Sequence, residues 1–97
     1  MLEGTVNVVN QLGLHARAAA KLVRLAAGFS SRILVIRPDR NVEANAKSIL
    51  SVLTLAASIG TKLTIRVDGA DEEQAFEAVR EIFESGFGET NINGQGI

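Results

Sequence analysis

Cysteine, tryptophan and tyrosine are absent from these 97 residues, and histidine and proline occur once each. Without cysteine the chain can form neither a disulfide nor a thiolate metal site, which suits a reducing compartment, and a cytoplasmic location is expected. A single histidine is a poor ligand set for zinc, so no metal is expected. Neither a P-loop nor a GxGxxG arrangement occurs, so no nucleotide site is signalled and no cofactor is expected. No apolar run approaches the roughly 18 residues of a membrane span. The start, Met1-Leu-Glu-Gly-Thr5, has no basic segment leading into a long apolar stretch, so a secretory signal is not expected either. The formal net charge of -1 lacks the basic excess that general nucleic-acid affinity demands.

What is present suffices for one folded domain. A chain of this length buries roughly 60–70% of the surface its unfolded form exposes, enough for one core but not for a deep enclosed site. With four Phe as the only aromatics, the core must come mostly from Val, Leu, Ile and Ala. Residues 2–9 alternate, with Leu2, Gly4, Val6 and Val8 on one face, and read as a half-buried strand. After a loop at 10–13, residues 16–27 turn helical. Ala19, Leu22, Val23 and Ala26 fall at core spacing there, Arg17, Lys21 and Arg24 share another side, and Gly28 is a C-terminal cap. A β-branched strand at 33–36, a turn at 38–41 and a short returning strand at 42–44 follow. Ser48 stands as N-cap of a short helix over 49–55, apolar enough that some of Ile49, Leu50 and Leu53 should be exposed.

Residues 62–67 alternate again, with Leu63, Ile65 and Val67 inward. The last helix opens with the carboxylates of Asp71, Glu72 and Glu73, carries a core stripe of Ala75, Phe76, Val79, Ile82 and Phe83, and ends at Gly86. From Phe87 onward the chain is mostly polar and Gly-rich and reads as a frayed tail. The order βαββαβα is satisfied by an α+β fold, an antiparallel sheet of four strands with helices on one side and the other face at least partly wet.

The one histidine, His15, lies between the first strand and the first helix. A histidine at a helix start faces the partial positive charge of free backbone N–H groups, which disfavours the imidazolium and favours a neutral, nucleophilic ring. The same N–H groups can cradle an anion attached to that ring, and Arg17 can bond phosphate oxygens. This set fits transient phosphorylation of the imidazole better than acid–base hydrolysis. No carboxylate lies nearby in sequence to orient the ring, although one could fold in from elsewhere. On position alone, a lone histidine is more often a solvated or capping residue than a reactive one.

Three segments add to that reading. Leu12-Gly-Leu-His-Ala-Arg17, Asn45-Ala-Lys-Ser-Ile-Leu50 and Gly69-Ala-Asp-Glu-Glu73 resemble the HPr family, the histidine-containing phosphocarriers of the bacterial phosphotransferase system. The resemblance covers about residues 2 to 89. It implies an open-faced β-sandwich, a four-stranded antiparallel sheet covered on one face by three helices; the domain is placed at 1–89, and the polar, Gly-rich residues 90–97 are expected to be a flexible C-terminal tail. It implies that His15 accepts phosphate on Nδ1 and that Arg17 stabilises it. Enzyme I, charged by phosphoenolpyruvate, would be the donor and an enzyme IIA-type domain the acceptor. Ser48 matches the serine that an HPr kinase/phosphorylase modifies in many members. The docking patch would comprise Ala16, Ala20, Arg24, Ile49, Leu50 and Leu53, and the chain would act as a monomer within a relay rather than as a stand-alone enzyme.

One position departs from the family's commonest pattern, which has proline directly after the arginine where this chain has Ala18; some branches of the family lack that proline. The stretch Ser85-Gly-Phe-Gly-Glu89 also resembles the nitrogen-related branch, which regulates rather than imports sugar. Two alternatives to a sugar-uptake carrier therefore stand: a nitrogen-branch regulatory phosphocarrier, and a non-catalytic domain that holds a regulator on the aliphatic patch with Ser48 as the switch.

Overall fold

The computed structural model describes residues 1–89; the expected flexible tail at 90–97 lies outside the described residues. Four strands, β1 (Leu2–Asn7), β2 (Arg32–Arg37), β3 (Val42–Asn45) and β4 (Lys62–Asp68), form one sheet in the order β1-β4-β2-β3. Every neighbouring pair is antiparallel. The last strand therefore lies between the first two, and β1 and β2 run parallel without touching. This arrangement requires the helix between them to cross over one face.

The register explains which face the helices cover. Val6 lies opposite Leu63, Val35 opposite Ile65 and Ile33 opposite Val67, and all six side chains are buried. The alternating residues point to the other face, where Glu3 and Arg66, also direct partners, form an ion pair at 2.8 Å. One face is thus a continuous aliphatic surface and the other a polar one, as an open antiparallel sheet demands.

Three helices cover the aliphatic face: α1 (Ala16–Ala27), α2 (Ile49–Leu53) and α3 (Glu72–Glu84). Ala18, Ala19, Leu22 and Ala26 turn inward from α1, and Ala75, Val79 and Phe83 from α3. The small alanines let α1 pack closely against α3. Gly4 serves the same purpose on β1, since a Cβ there would stand 2.6 Å from Cζ of Phe76.

Several boundaries differ from the sequence reading for identifiable reasons. The first strand ends at Asn7, although Val8 remains buried and exchanges backbone bonds with Gly60 and Thr61. The short helix stops at Leu53: Thr54, Leu55 and Ala56 bond carbonyls three residues back, Leu55 is buried, and the chain leaves through a left-handed Ala56, φ 47°. Asp71 occupies the N-cap position of α3 and accepts the Ala75 N–H through its carbonyl at 3.0 Å, but its side chain makes no capping bond. Its carboxylate instead accepts from the backbone N–H groups of Ser30 and Ser31 and from the Ser31 hydroxyl, tying the start of α3 to the loop before β2.

The largest correction concerns the segment after Gly86. Residues Gly86–Gly88 form a short 3-10 turn rather than the start of a frayed tail. Phe87 is 2% exposed and meets Phe83 edge to face at 5.0 Å between ring centroids. To bury the ring there the backbone takes φ 59° at Phe87, a left-handed conformation unusual for a bulky residue. The side chain's burial compensates for that strain, and the chain is strapped back across the end of α1.

Hydrogen bonds from the Ser31 hydroxyl and the Ser30 N–H hold the Asp71 carboxyl at about 2, below its ordinary 3.8. A carboxyl more acidic in the folded than in the unfolded chain stabilises the fold above the unfolded value and loses that effect as pH falls through the folded one. Thermal unfolding followed from about pH 5 to pH 2 should therefore show an acid limb that is shallower in Asp71→Asn. Phe87→Ala should cost about 3–5 kcal/mol in chemical denaturation, as for other buried aromatic truncations; a loss below about 1 kcal/mol would mean that the strap is not anchored by its ring.

Candidate functional site

His15 is positioned by the loop before it. Asn10 is buried, and its Nδ2 donates to the carbonyl of Gly13 at 2.7 Å, closing the loop into a tight turn. Gly13 has φ 68°, and a Cβ there would stand 2.5 Å from the carbonyl oxygen of Ala57. Glycine is required on both counts. Leu14 then donates its N–H to that carbonyl at 2.9 Å, and its side chain enters the core. The chain is thereby pinned one residue before His15.

His15 itself is extended, with φ -75° and ψ 179°, and caps α1. Its carbonyl accepts the Ala19 N–H at 2.8 Å, the first turn of the helix. Its ring Nδ1 accepts the Arg17 N–H at 3.3 Å. An imidazole nitrogen thus occupies the place that a Ser or Asp oxygen takes in an ordinary N-cap. Among the described residues the Arg17 guanidinium has no hydrogen-bond partner, and its side chain borders the same surface depression, about 640 Å³, that His15 lines with Leu12, Lys21 and Glu89. The depression is open, as expected for a chain too small to enclose a deep site.

The carboxylate that sequence proximity could not supply arrives from the strap. Glu89 Oε2 contacts Nε2 of His15, and Glu89 Oε1 accepts from Asn10 Nδ2 at 3.0 Å. Lys21 Nζ donates to the carbonyl of Phe87 at 2.8 Å, holding the strap against α1. Burial alone would raise the Glu89 carboxyl. Hydrogen bonds from Asn10 and His15, with the nearby charges of His15 and Lys21, outweigh it and hold the group below the usual carboxylate range. Asn10 and Glu89 are the site residues that sequence reasoning did not single out. The available signal was an aromatic, Phe87, inside a Gly-rich stretch: a side chain of that size seldom stays in water without reason.

The other predicted residues fall on two neighbouring helices. Ala16 and Arg24 are exposed and Ala20 half-buried on α1. On α2, which packs against α1, Ile49, Leu50 and Leu53 are exposed by 39%, 75% and 37%. Leu12, exposed and lining the same depression as His15, was not among the predicted patch residues. Ser48 caps α2 through its Oγ, which accepts the Ser51 N–H at 3.3 Å. Among the described residues there is no cluster of His, Asp and Glu that could hold a metal ion, and no helix is long and apolar enough to cross a membrane.

Comparison with known proteins bears on this geometry directly. The family model described as "PTS HPr component phosphorylation site" matches residues 2–85. The phosphocarrier protein HPr of Xylella fastidiosa is 49% identical over 89 residues, covering 92% of this chain and 98% of that protein. The phosphocarrier protein NPr of Escherichia coli is 41% identical over 85 residues, covering 88% of this chain and 93% of that one. The crystal structure of an HPr from Thermoanaerobacter tengcongensis superposes with a TM-score of 0.86 at 43% identity, covering 92% of this chain and 98% of that one. The sheet order, the covering helices and the match along nearly the whole chain agree: this chain belongs to the HPr family of phosphocarrier proteins of the phosphotransferase system.

Proposed function

We propose that His15 is the phosphoryl acceptor, that it receives the group on Nδ1 from phosphorylated enzyme I, and that it passes it to an enzyme IIA-type domain in sugar uptake. The observation that carries this reading is the direction of Nδ1. It faces the N-terminus of α1, where the Arg17 N–H already meets it. A phosphoryl group on Nδ1 would inherit that N–H as a donor, together with the partial positive charge of the helix end. The Arg17 guanidinium would bond its remaining oxygens, and Ala18, unlike proline, supplies a further backbone N–H nearby.

Transfer between two histidines asks for in-line approach, charge stabilisation and exclusion of water rather than for covalent help from other side chains. An open depression bordered by an exposed aliphatic surface serves this purpose, because the partner completes the enclosure. Ala16, Ala20, Arg24, Ile49, Leu50 and Leu53, joined by Leu12, form that surface in the proposal. Apolar side chains beside Arg17 and Arg24 suit a partner face that is apolar at its centre and acidic at its rim. The proposed carrier acts as a cytoplasmic monomer.

Ser48 is the proposed regulatory site for an HPr kinase/phosphorylase. A phosphate on its Oγ would remain at the start of α2 and place about -2 charge beside Ile49 and Leu50. That would repel an acidic partner without refolding the domain. A second reading, a nitrogen-branch regulatory carrier, is favoured by one observation: the likeness to the Escherichia coli NPr, in line with the resemblance of Ser85-Gly-Phe-Gly-Glu89 to that branch. A purely regulator-binding domain is disfavoured, since it has no use for a capping imidazole beside an arginine.

Incubation with enzyme I and phosphoenolpyruvate, read by intact mass, should add one acid-labile phosphate that His15→Ala abolishes. Arg17→Ala should slow the transfer about 10²-fold while leaving the fold intact. No incorporation with a competent enzyme I would refute the carrier reading. Phosphorylation at Ser48, or Ser48→Asp as its substitute, should weaken enzyme I-dependent transfer roughly tenfold or more. Ser48→Ala should lower stability by only ~1 kcal/mol, the worth of its cap.

A further inference from the structure

The two ring nitrogens of His15 have different partners, and together these partners assign the tautomer. Nδ1 accepts the Arg17 N–H, which requires its lone pair. Nε2 contacts a carboxylate oxygen of Glu89, which requires a proton on Nε2. Glu89 in turn stands between two donors, because its other oxygen accepts from Asn10 Nδ2. Asn10 cannot turn its amide round without losing the 2.7 Å bond to the Gly13 carbonyl. Only a group with two acceptor oxygens satisfies both neighbours. A glutamine at this position would present an NH₂ to one of them.

We propose that Glu89, held by Asn10, is a positioning residue for His15: it fixes the ring proton on Nε2, leaves the Nδ1 lone pair facing the start of α1, and balances the charge the ring gains on phosphorylation. This rests on the phosphocarrier reading above. In the transfer, the Nδ1 lone pair forms the new N–P bond while the P–N bond of the donor's phosphohistidine breaks and its electron pair returns to the donor nitrogen. No proton enters or leaves the His15 ring, which becomes an N-phosphorylated imidazolium still protonated at Nε2. Its positive charge then faces the Glu89 carboxylate. In the onward transfer the ring departs as neutral imidazole because the Nε2 proton is retained, so the same contact serves both directions. The logic is that of a carboxylate orienting a histidine through its far nitrogen.

The strap explains why the carboxylate can reach. Phe87 is buried against Phe83, Lys21 holds the Phe87 carbonyl, and Glu89 follows at the end of the turn. A purely structural role would make Glu89 one more anchor of that strap. The test separates the two. Because His15 is the only histidine, its ring nitrogens can be read without ambiguity in a long-range ¹H–¹⁵N correlation spectrum of the full chain, taken at a pH where the ring is neutral.

Glu89→Gln should shift the ring shifts toward the form protonated on Nδ1. It should also lower the rate of phosphorylation by enzyme I roughly tenfold, as expected for losing a hydrogen bond to an ionised group. Glu89→Ala, which removes the carboxylate without introducing a donor, should lower the rate by a similar factor with the thermal midpoint confirming a folded chain. Both the ring signature and the rate must move in Glu89→Gln; if either keeps its wild-type value, the assignment is overturned. If the wild-type chain takes up no phosphate from a competent enzyme I, the phosphocarrier reading itself fails and this role fails with it. If the wild type is phosphorylated and the glutamine variant matches it, only the role of Glu89 is lost.

Discussion

The His15 ring is held from both sides, by a backbone N–H at Nδ1 and by a carboxylate at Nε2, and most of the local architecture exists to deliver those two groups. The N–H side is built by the loop. Asn10 closes the turn at Gly13, and Leu14 locks onto Ala57, so that the helix must begin one residue later with an imidazole at its cap. The carboxylate side is built by the strap, where a strained, buried Phe87 pulls Glu89 across the end of α1. Asn10 joins the two sides, because the same Nδ2 serves Gly13 and Glu89. Disturbing Asn10 would therefore loosen both halves at once.

The sheet supplies the rigidity that such a site needs. With β4 between β1 and β2, the two strands that flank α1 in sequence are fixed by a common neighbour. The helix cannot slide along the sheet without breaking the burial of Leu22 and Ala26. A side chain at the cap of such a helix inherits that fixed position while remaining about a quarter exposed, at 28% for the His15 side chain. This combination suits a relay: the ring is held still, yet a partner protein can reach it. The aliphatic residues of α2 stay exposed for a related reason. Val52 alone anchors that short helix in the core, and Ile49, Leu50 and Leu53 point elsewhere.

Much of this was legible in the sequence. The alternation at 2–9 and 62–67, the helical spacing at 16–27 and the stripe of the last helix led to the correct elements because each carries a long, unmixed period. His15 and Arg17 stood out because so few other side chains could do chemistry. The role of Glu89 was not legible, because the one local signal, Phe87 in a Gly-rich stretch, says nothing of what the carboxylate meets. Its role depends on a ring buried two residues earlier and on an asparagine at the far end of the chain, a contact between residues 10 and 89. The same applies to Asp71, whose position announced a helix cap but whose carboxylate bonds Ser30 and Ser31 instead. Periodicity reports which face is buried; it does not report which polar group crosses from one element to another.

The central claim is that Nδ1, not Nε2, carries the phosphoryl group. The most direct measurement is the ³¹P–¹⁵N coupling in the phosphorylated, uniformly ¹⁵N-labelled chain, which identifies the ring nitrogen bonded to phosphorus. The account predicts a one-bond coupling to Nδ1, with Nε2 still protonated. A coupling to Nε2 would contradict it, since phosphorus there would have to displace Glu89 and face away from the start of the helix.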